Sequence, residues 1–108
     1  MAKPVPEAKV VLDLNNPVFQ ENLFSLQKPD QQTVLKTLSK IRQLTWGQLY
    51  GDHGLKWEKI VSVPSPPGIS AIYSLRITQS RRATAYRDGH FIRFLTIAPD
   101  HDATYGMK

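Results

Sequence analysis

The 108-residue chain contains no cysteine, which excludes disulfides, thiol chemistry and cysteine-ligated zinc. No apolar run approaches the roughly 20 residues of a membrane-spanning helix. Met1 to Lys9 is proline-rich and polar rather than the apolar core of a signal peptide. A cytoplasmic location without membrane contact is therefore expected. Glycine is sparse, at six residues. Gly47, Gly51 and Gly54 lack the lysine–hydroxyl ending of a phosphate-binding loop, and no Gly-x-Ser-x-Gly marks a serine nucleophile. Acidic residues are scarcest where basic ones crowd: five arginines accompany only Asp88 between Ser70 and Ile97.

What is present fits one small domain. The hydrophobic fraction of 41% suffices for one modest core. Residues 1–8, with Pro4 and Pro6, read as a flexible arm, 9–105 as the domain and 106–108 as a tail. The formal charge of +5 favours a polyanionic partner, nucleic acid or an acidic protein. The plainer alternative is charge kept for solubility. Four of the net positive charges fall between Ser70 and Ile97, which favours the first reading.

The pattern predicts a strand over Lys9 to Leu14. Asn16-Pro17 then starts a helix, with Asn as cap and Pro at the first helical position. Phe19, Leu23 and Leu26 follow at helical spacing. Lys28-Pro29-Asp30 is expected to break that helix and cap the next. Val34, Leu35, Leu38 and Ile41 form the stripe of the second helix, and Lys36, Lys40 and Arg42 keep to its other side. Thr45 caps a further turn ending at Tyr50. Lys56 to Val63 alternates like a strand, and the prolines at 64, 66 and 67 make a rigid connection.

Three alternating runs close the chain. Side chains alternate faces along a strand, so one apolar face collects Tyr73, Leu75, Ile77, Ala83, Ala85, Ile92 and Phe94. The other collects Arg76, Thr78, Arg82, Thr84, Tyr86 and Arg93. A three-residue loop, Gln79-Ser80-Arg81, keeps these faces apart and sets Arg76 opposite Thr84. Asp88-Gly89 reads as the central pair of a type I′ hairpin turn. The order of one strand, two helices and an antiparallel meander implies an α+β fold, with helices on the apolar face and the arginine face open.

This order resembles the RelE/ParE superfamily of bacterial toxin–antitoxin toxins. The resemblance lies in Tyr73-Ser74-Leu75-Arg76-Ile77-Thr78, Arg82-Ala83-Thr84-Ala85-Tyr86, Asp88-Gly89 and the last strand, with Ser74 where the family has another arginine. His101-Asp102-Ala103-Thr104-Tyr105 looks like the family's closing Arg/His-x-x-x-Tyr element. The resemblance implies a RelE-like fold, with two helices packed on one face of a mostly antiparallel sheet. It also implies a cognate antitoxin carrying an acidic, amphipathic segment. RelE-like members are mRNA endoribonucleases that need no metal or other cofactor and cut mostly on the ribosome. ParE-like members inhibit DNA gyrase instead, so a binding module without chemistry, or an inactive toxin-like protein, is the alternative.

Metal-free RNA cleavage requires a base for the 2′-hydroxyl, cations for the phosphorane, an acid for the leaving 5′-oxygen and a platform for a nucleobase. Arginine forks suit phosphate oxygens and keep their charge, which makes Arg82 and Arg76 the phosphate candidates. The resemblance assigns Arg82 a catalytic contact. His101 and Tyr105 are the acid/base candidates in the tail, and Glu58 is the candidate base on the preceding strand. Arg93, Tyr86, Thr84 and Arg87 are the RNA-binding candidates, with Tyr86 suited to stacking. Each has a plainer reading as a solvated or ion-paired strand residue. Asp100-His101-Asp102 is a poor metal site, because adjacent residues rarely converge on one ion.

Overall fold

A computed structural model describes residues 8–61 and 64–98 of the chain. Among these residues the fold is α+β: a five-stranded mixed sheet with three helices. The elements are β1 (Val11–Asp13), α1 (Pro17–Phe24), α2 (Lys28–Ile41), α3 (Trp46–Tyr50), β2 (Glu58–Lys59), β3 (Tyr73–Arg76), β4 (Arg82–Asp88) and β5 (Phe91–Ile97). The sheet order is β1-β5-β4-β3-β2. β1 runs parallel to β5, and the remaining neighbours are antiparallel.

Local chemistry sets the helix starts. The Asn16 side chain accepts from the Val18 and Phe19 backbone N–H groups, with Pro17 next to it, relieving donors that a first turn leaves unpaired. Thr45 and Gln48 form a reciprocal capping box at α3. α1 ends at Phe24, ahead of Lys28-Pro29-Asp30, but that segment does not cap the next helix from outside as expected. It opens α2, because proline fits a first helical turn, where its missing N–H costs nothing. Gln27 is the N-cap there and gives no side-chain bond. In α2 the buried stripe is Val34, Leu38 and Ile41, while Leu35 is exposed.

The helices bury their stripes against one sheet face. Phe19, Leu23, Val34, Leu38, Ile41, Trp46 and Leu49 form a single core cluster with Leu75, Ile77, Ala83, Ala85, Ile92, Phe94 and Ile97. The two alanines leave room for that approach, and Phe19 meets Phe94 at a ring separation of 5.1 Å. A bulge between Thr84 and Ala85 shifts the β4–β5 register, so Ala83 faces Ile97 while Ala85 faces Phe94. Tyr73 lies at the margin of this face, stacked on Trp57 at 4.6 Å and 12°.

Three expectations from the meander are corrected. Arg76 pairs with Arg82 and Ser74 with Thr84, a slide of two residues from the expected register. Both registers keep the same faces apart, so the pattern alone could not separate them. The longer connection is stabilised from within: the Ile77 and Thr78 N–H groups donate to the Arg81 carbonyl. The Thr78 hydroxyl accepts from the Ser80 and Arg81 N–H groups. Thr78 is therefore buried in the turn and not displayed on the open face. In the second hairpin Asp88 pairs with Phe91, so Gly89 and His90 are central. Only Gly89 has positive φ, at 62°, the pattern of a type II′ turn. Third, of the strand expected from Lys56 to Val63, the described residues form only Glu58–Lys59, while residues 62 and 63 lie outside them; Lys56 has φ of +50°, outside strand geometry.

Candidate functional site

Arg76 and Arg82 face each other directly across β3 and β4. Glu58 pairs with Ser74 on the neighbouring strand, and all four lie on the sheet face away from the helices. Arg82 is held in place. Its Nε and Nη2 donate to Ser74 Oγ at 3.3 and 3.0 Å, and Nη2 also donates to the Lys56 carbonyl at 3.0 Å. Glu58 Oε2 lies 3.7 Å from Nη2, within ion-pair range. Nη1 has no partner among the described residues, so one edge of the guanidinium stays available. The Arg76 guanidinium also has no hydrogen bond or ion pair among the described residues and is exposed.

This arrangement carries a local conflict. Side chains directly opposite on neighbouring strands lie about 4.5–5.5 Å apart at Cβ, and like charges there repel. Only Arg82 has a nearby carboxylate. An anion seated between the two arginines would relieve that repulsion, and guanidinium forks suit a phosphate. Ser74 and the Lys56 carbonyl were not anticipated as Arg82 partners. Ser74 was legible by parity, since it shares a face with Arg76 and Arg82. The Lys56 carbonyl was not, because it depends on the irregular backbone at that residue.

The other arginines of the meander are engaged elsewhere. Arg93 donates to Asp13 Oδ2 at 2.6 Å and to Asp88 Oδ2 at 2.9 Å, and its guanidinium lies 4.6 Å from the Phe91 ring centroid. Contact with Asp13, then Asp88, favours its charged form further. Asp13 is held below the ordinary carboxylate range, first by the Asn15 backbone N–H and then by Arg93. Arg87 lies on the helix side, which its parity with Ala83 and Ala85 would have indicated. It sits 4.6 Å from the Trp46 ring centroid and donates to Tyr50 Oη and the Gly89 carbonyl. Arg81 reaches Asp30 in the first turn of α2 at 3.2 Å. The meander arginines are thus divided between both faces, and the open one also carries Glu58, Asp13 and Asp88.

Thr84 and Tyr86 lie on the open face as expected. The Thr84 hydroxyl is 2.7 Å from that of Thr96, and Tyr86 pairs with Arg93 across the strands. The fold brings together Arg76, Arg82 and Glu58 from the expected catalytic set, while Thr84 and Tyr86 lie further along β4. It directs Arg87 away and places Arg93 between two carboxylates. His101, Tyr105 and the Asp100-His101-Asp102 run lie outside the described residues. Among the described residues, no helix is long and apolar enough to cross a membrane.

No family model, curated protein or solved structure matches this chain.

Proposed function

We propose that this chain is a cytoplasmic toxin of the RelE type, a metal-independent mRNA endoribonuclease neutralised by a cognate antitoxin. The observation that supports this reading most is the direct Arg76–Arg82 pair with Glu58 beside it. The two guanidinium groups would hold the scissile phosphate and stabilise the charge that builds on its oxygens. Glu58 would accept the proton of the 2′-hydroxyl. The 2′-oxygen then attacks phosphorus, the P–O5′ bond breaks and a 2′,3′-cyclic phosphate forms. The 5′-oxygen leaves with a proton from an acid, the role proposed for His101 or Tyr105.

One observation favours a second reading, a binding module without chemistry such as a ParE-like gyrase inhibitor or an inactive toxin-like protein. Arg81, Arg87 and Arg93 are committed to partners within the fold, which leaves few cations for a long RNA track. Expression of the protein alone in bacteria, following growth and RNA integrity together, separates the readings. The endoribonuclease arrests growth with cleaved mRNA. Arrest with intact RNA and DNA-damage signalling supports the gyrase inhibitor, and unaffected growth supports an inert scaffold.

A further inference from the structure

β3 and β4 are paired from Tyr73 and Ala85 onward, but on the far side of that pair the two chains part. A groove of about 370 Å³ opens there, lined by Pro67, Gly68, Ser70, Tyr86, Arg87 and Asp88 among others. Its outer wall is a tight turn in which the Ile69 N–H donates to the Pro66 carbonyl. Pro67 and Gly68 are the central residues, and Gly68 has φ of +83°. Proline followed by glycine in that conformation is the signature of a type II turn. Such a wall is preformed, because proline fixes one dihedral and the left-handed glycine the next.

The inner wall has unused recognition capacity. The Tyr86 hydroxyl has no hydrogen bond and its ring no aromatic contact among the described residues, although it is half-buried. Asp88 Oδ2 accepts from Arg93 Nε, while Oδ1 accepts from no group among the described residues. Arg87 also lines the groove but commits its guanidinium to Trp46 and Tyr50, which leaves the Asp88 carboxylate as the charged group with spare hydrogen-bonding capacity. This carboxylate favours an edge made of N–H donors, and guanine presents two neighbouring donors, N1–H and the 2-amino group, one for the free Oδ1 and one for the remaining lone pair of Oδ2, which already accepts from Arg93. An aromatic ring on the same strand supplies a stacking surface.

We infer that this groove is a nucleobase subsite whose preferred occupant is guanine. The inference rests on the RNA-cleaving reading and gives that site a base preference. Tyr86 lies four residues along β4 from Arg82 on the same face, about 13 Å at strand rise. A single strand with its scissile phosphate on Arg82 therefore reaches the groove with a base one or two nucleotides away.

The test uses short RNA oligomers with 2′-O-methyl groups, which block cleavage, and measures binding by fluorescence anisotropy. Oligomers carry guanine, inosine or uracil at each position in turn. Wild-type protein should favour guanine over inosine at one position by roughly tenfold, the scale of a lost base-edge contact. Asp88→Asn and Tyr86→Leu should bring that ratio close to one. Wild-type binding or cleavage of RNA with no guanine preference would overturn the subsite and leave the RNA reading intact. Failure to bind or cleave any RNA would overturn both. Should either variant fail to fold, photocrosslinking of a 6-thioguanosine oligomer to the unaltered protein decides. Crosslinks at Tyr86 or residues 67–71 support the subsite, and crosslinks confined to other segments contradict it.

Discussion

Arg76 and Arg82 stand directly opposite each other on β3 and β4, and only Arg82 is tied down. Their removal should therefore have different consequences for stability. Arg82→Ala loses bonds to Ser74 and the Lys56 carbonyl and should cost about 1 kcal/mol. Arg76→Ala breaks no side-chain bond among the described residues and relieves a like-charge contact. It should leave stability within about 0.5 kcal/mol or raise it slightly. Urea denaturation of both variants checks this, and equal losses would argue against the asymmetry.

Both arginines should matter to anions. Inorganic phosphate should stabilise the wild-type protein and protect it less after either arginine is removed. Thermal melting across a phosphate series reads the effect, with chloride at matched ionic strength as the control. Identical protection of Arg76→Ala and wild type would remove Arg76 from the anion site.

Arg93 is expected to be structural. Its partners Asp13 and Asp88 lie on strands to either side of β5, so Arg93→Ala should lower the melting temperature, and any loss of RNA affinity should be confined to the guanine preference that Asp88 supplies. A strong loss of RNA binding without loss of stability would contradict this.

Acid should weaken the fold through the same carboxylates. Asp13 has a lowered pKa in the folded state, and so does Asp52, chiefly through Lys40. A depressed carboxyl pKa contributes stability that is fully present above the unfolded value near 3.8 and is lost as pH falls through the folded value. Denaturation midpoints should thus decline most steeply below about pH 4. Asp13→Asn should flatten part of that decline, and an unchanged profile would contradict the assigned role.

Phe94 packs against Phe19 at 1% exposure. Phe94→Ala should cost about 3–5 kcal/mol through lost burial and the cavity left behind. Calorimetry or denaturant titration measures it, and a loss below about 1 kcal/mol would mean that the helices do not seal this sheet face.

The sequence was most legible where one physical rule decided the outcome. Alternation assigned Leu75, Ala83, Ala85 and Phe94 to the core face and Arg76, Arg82 and Tyr86 to the other. Asn16-Pro17 marked a helix start because few residue pairs suit that geometry better. The register of β3 and β4 was not legible, because a slide of two residues preserves every face and local bonds around Thr78 chose the longer loop. The ion pairs were hidden for a different reason: Asp13 and Arg93 lie 80 positions apart, and they meet only because β1 adds in parallel beside β5. Arg81 likewise reaches Asp30 across 51 positions. Charge density along the meander therefore overstated how many arginines the open face presents.

The most direct test is cleavage of a translated mRNA by purified protein, comparing wild type with Arg82→Ala and Glu58→Gln, each checked for folding by circular dichroism. The expected result is cleavage by wild type, with 2′,3′-cyclic phosphate ends, and a fall of about 10²-fold or more in each variant. Intact mRNA with the wild-type protein, or undiminished cleavage by the folded Arg82→Ala variant, would contradict the role given to the arginine pair.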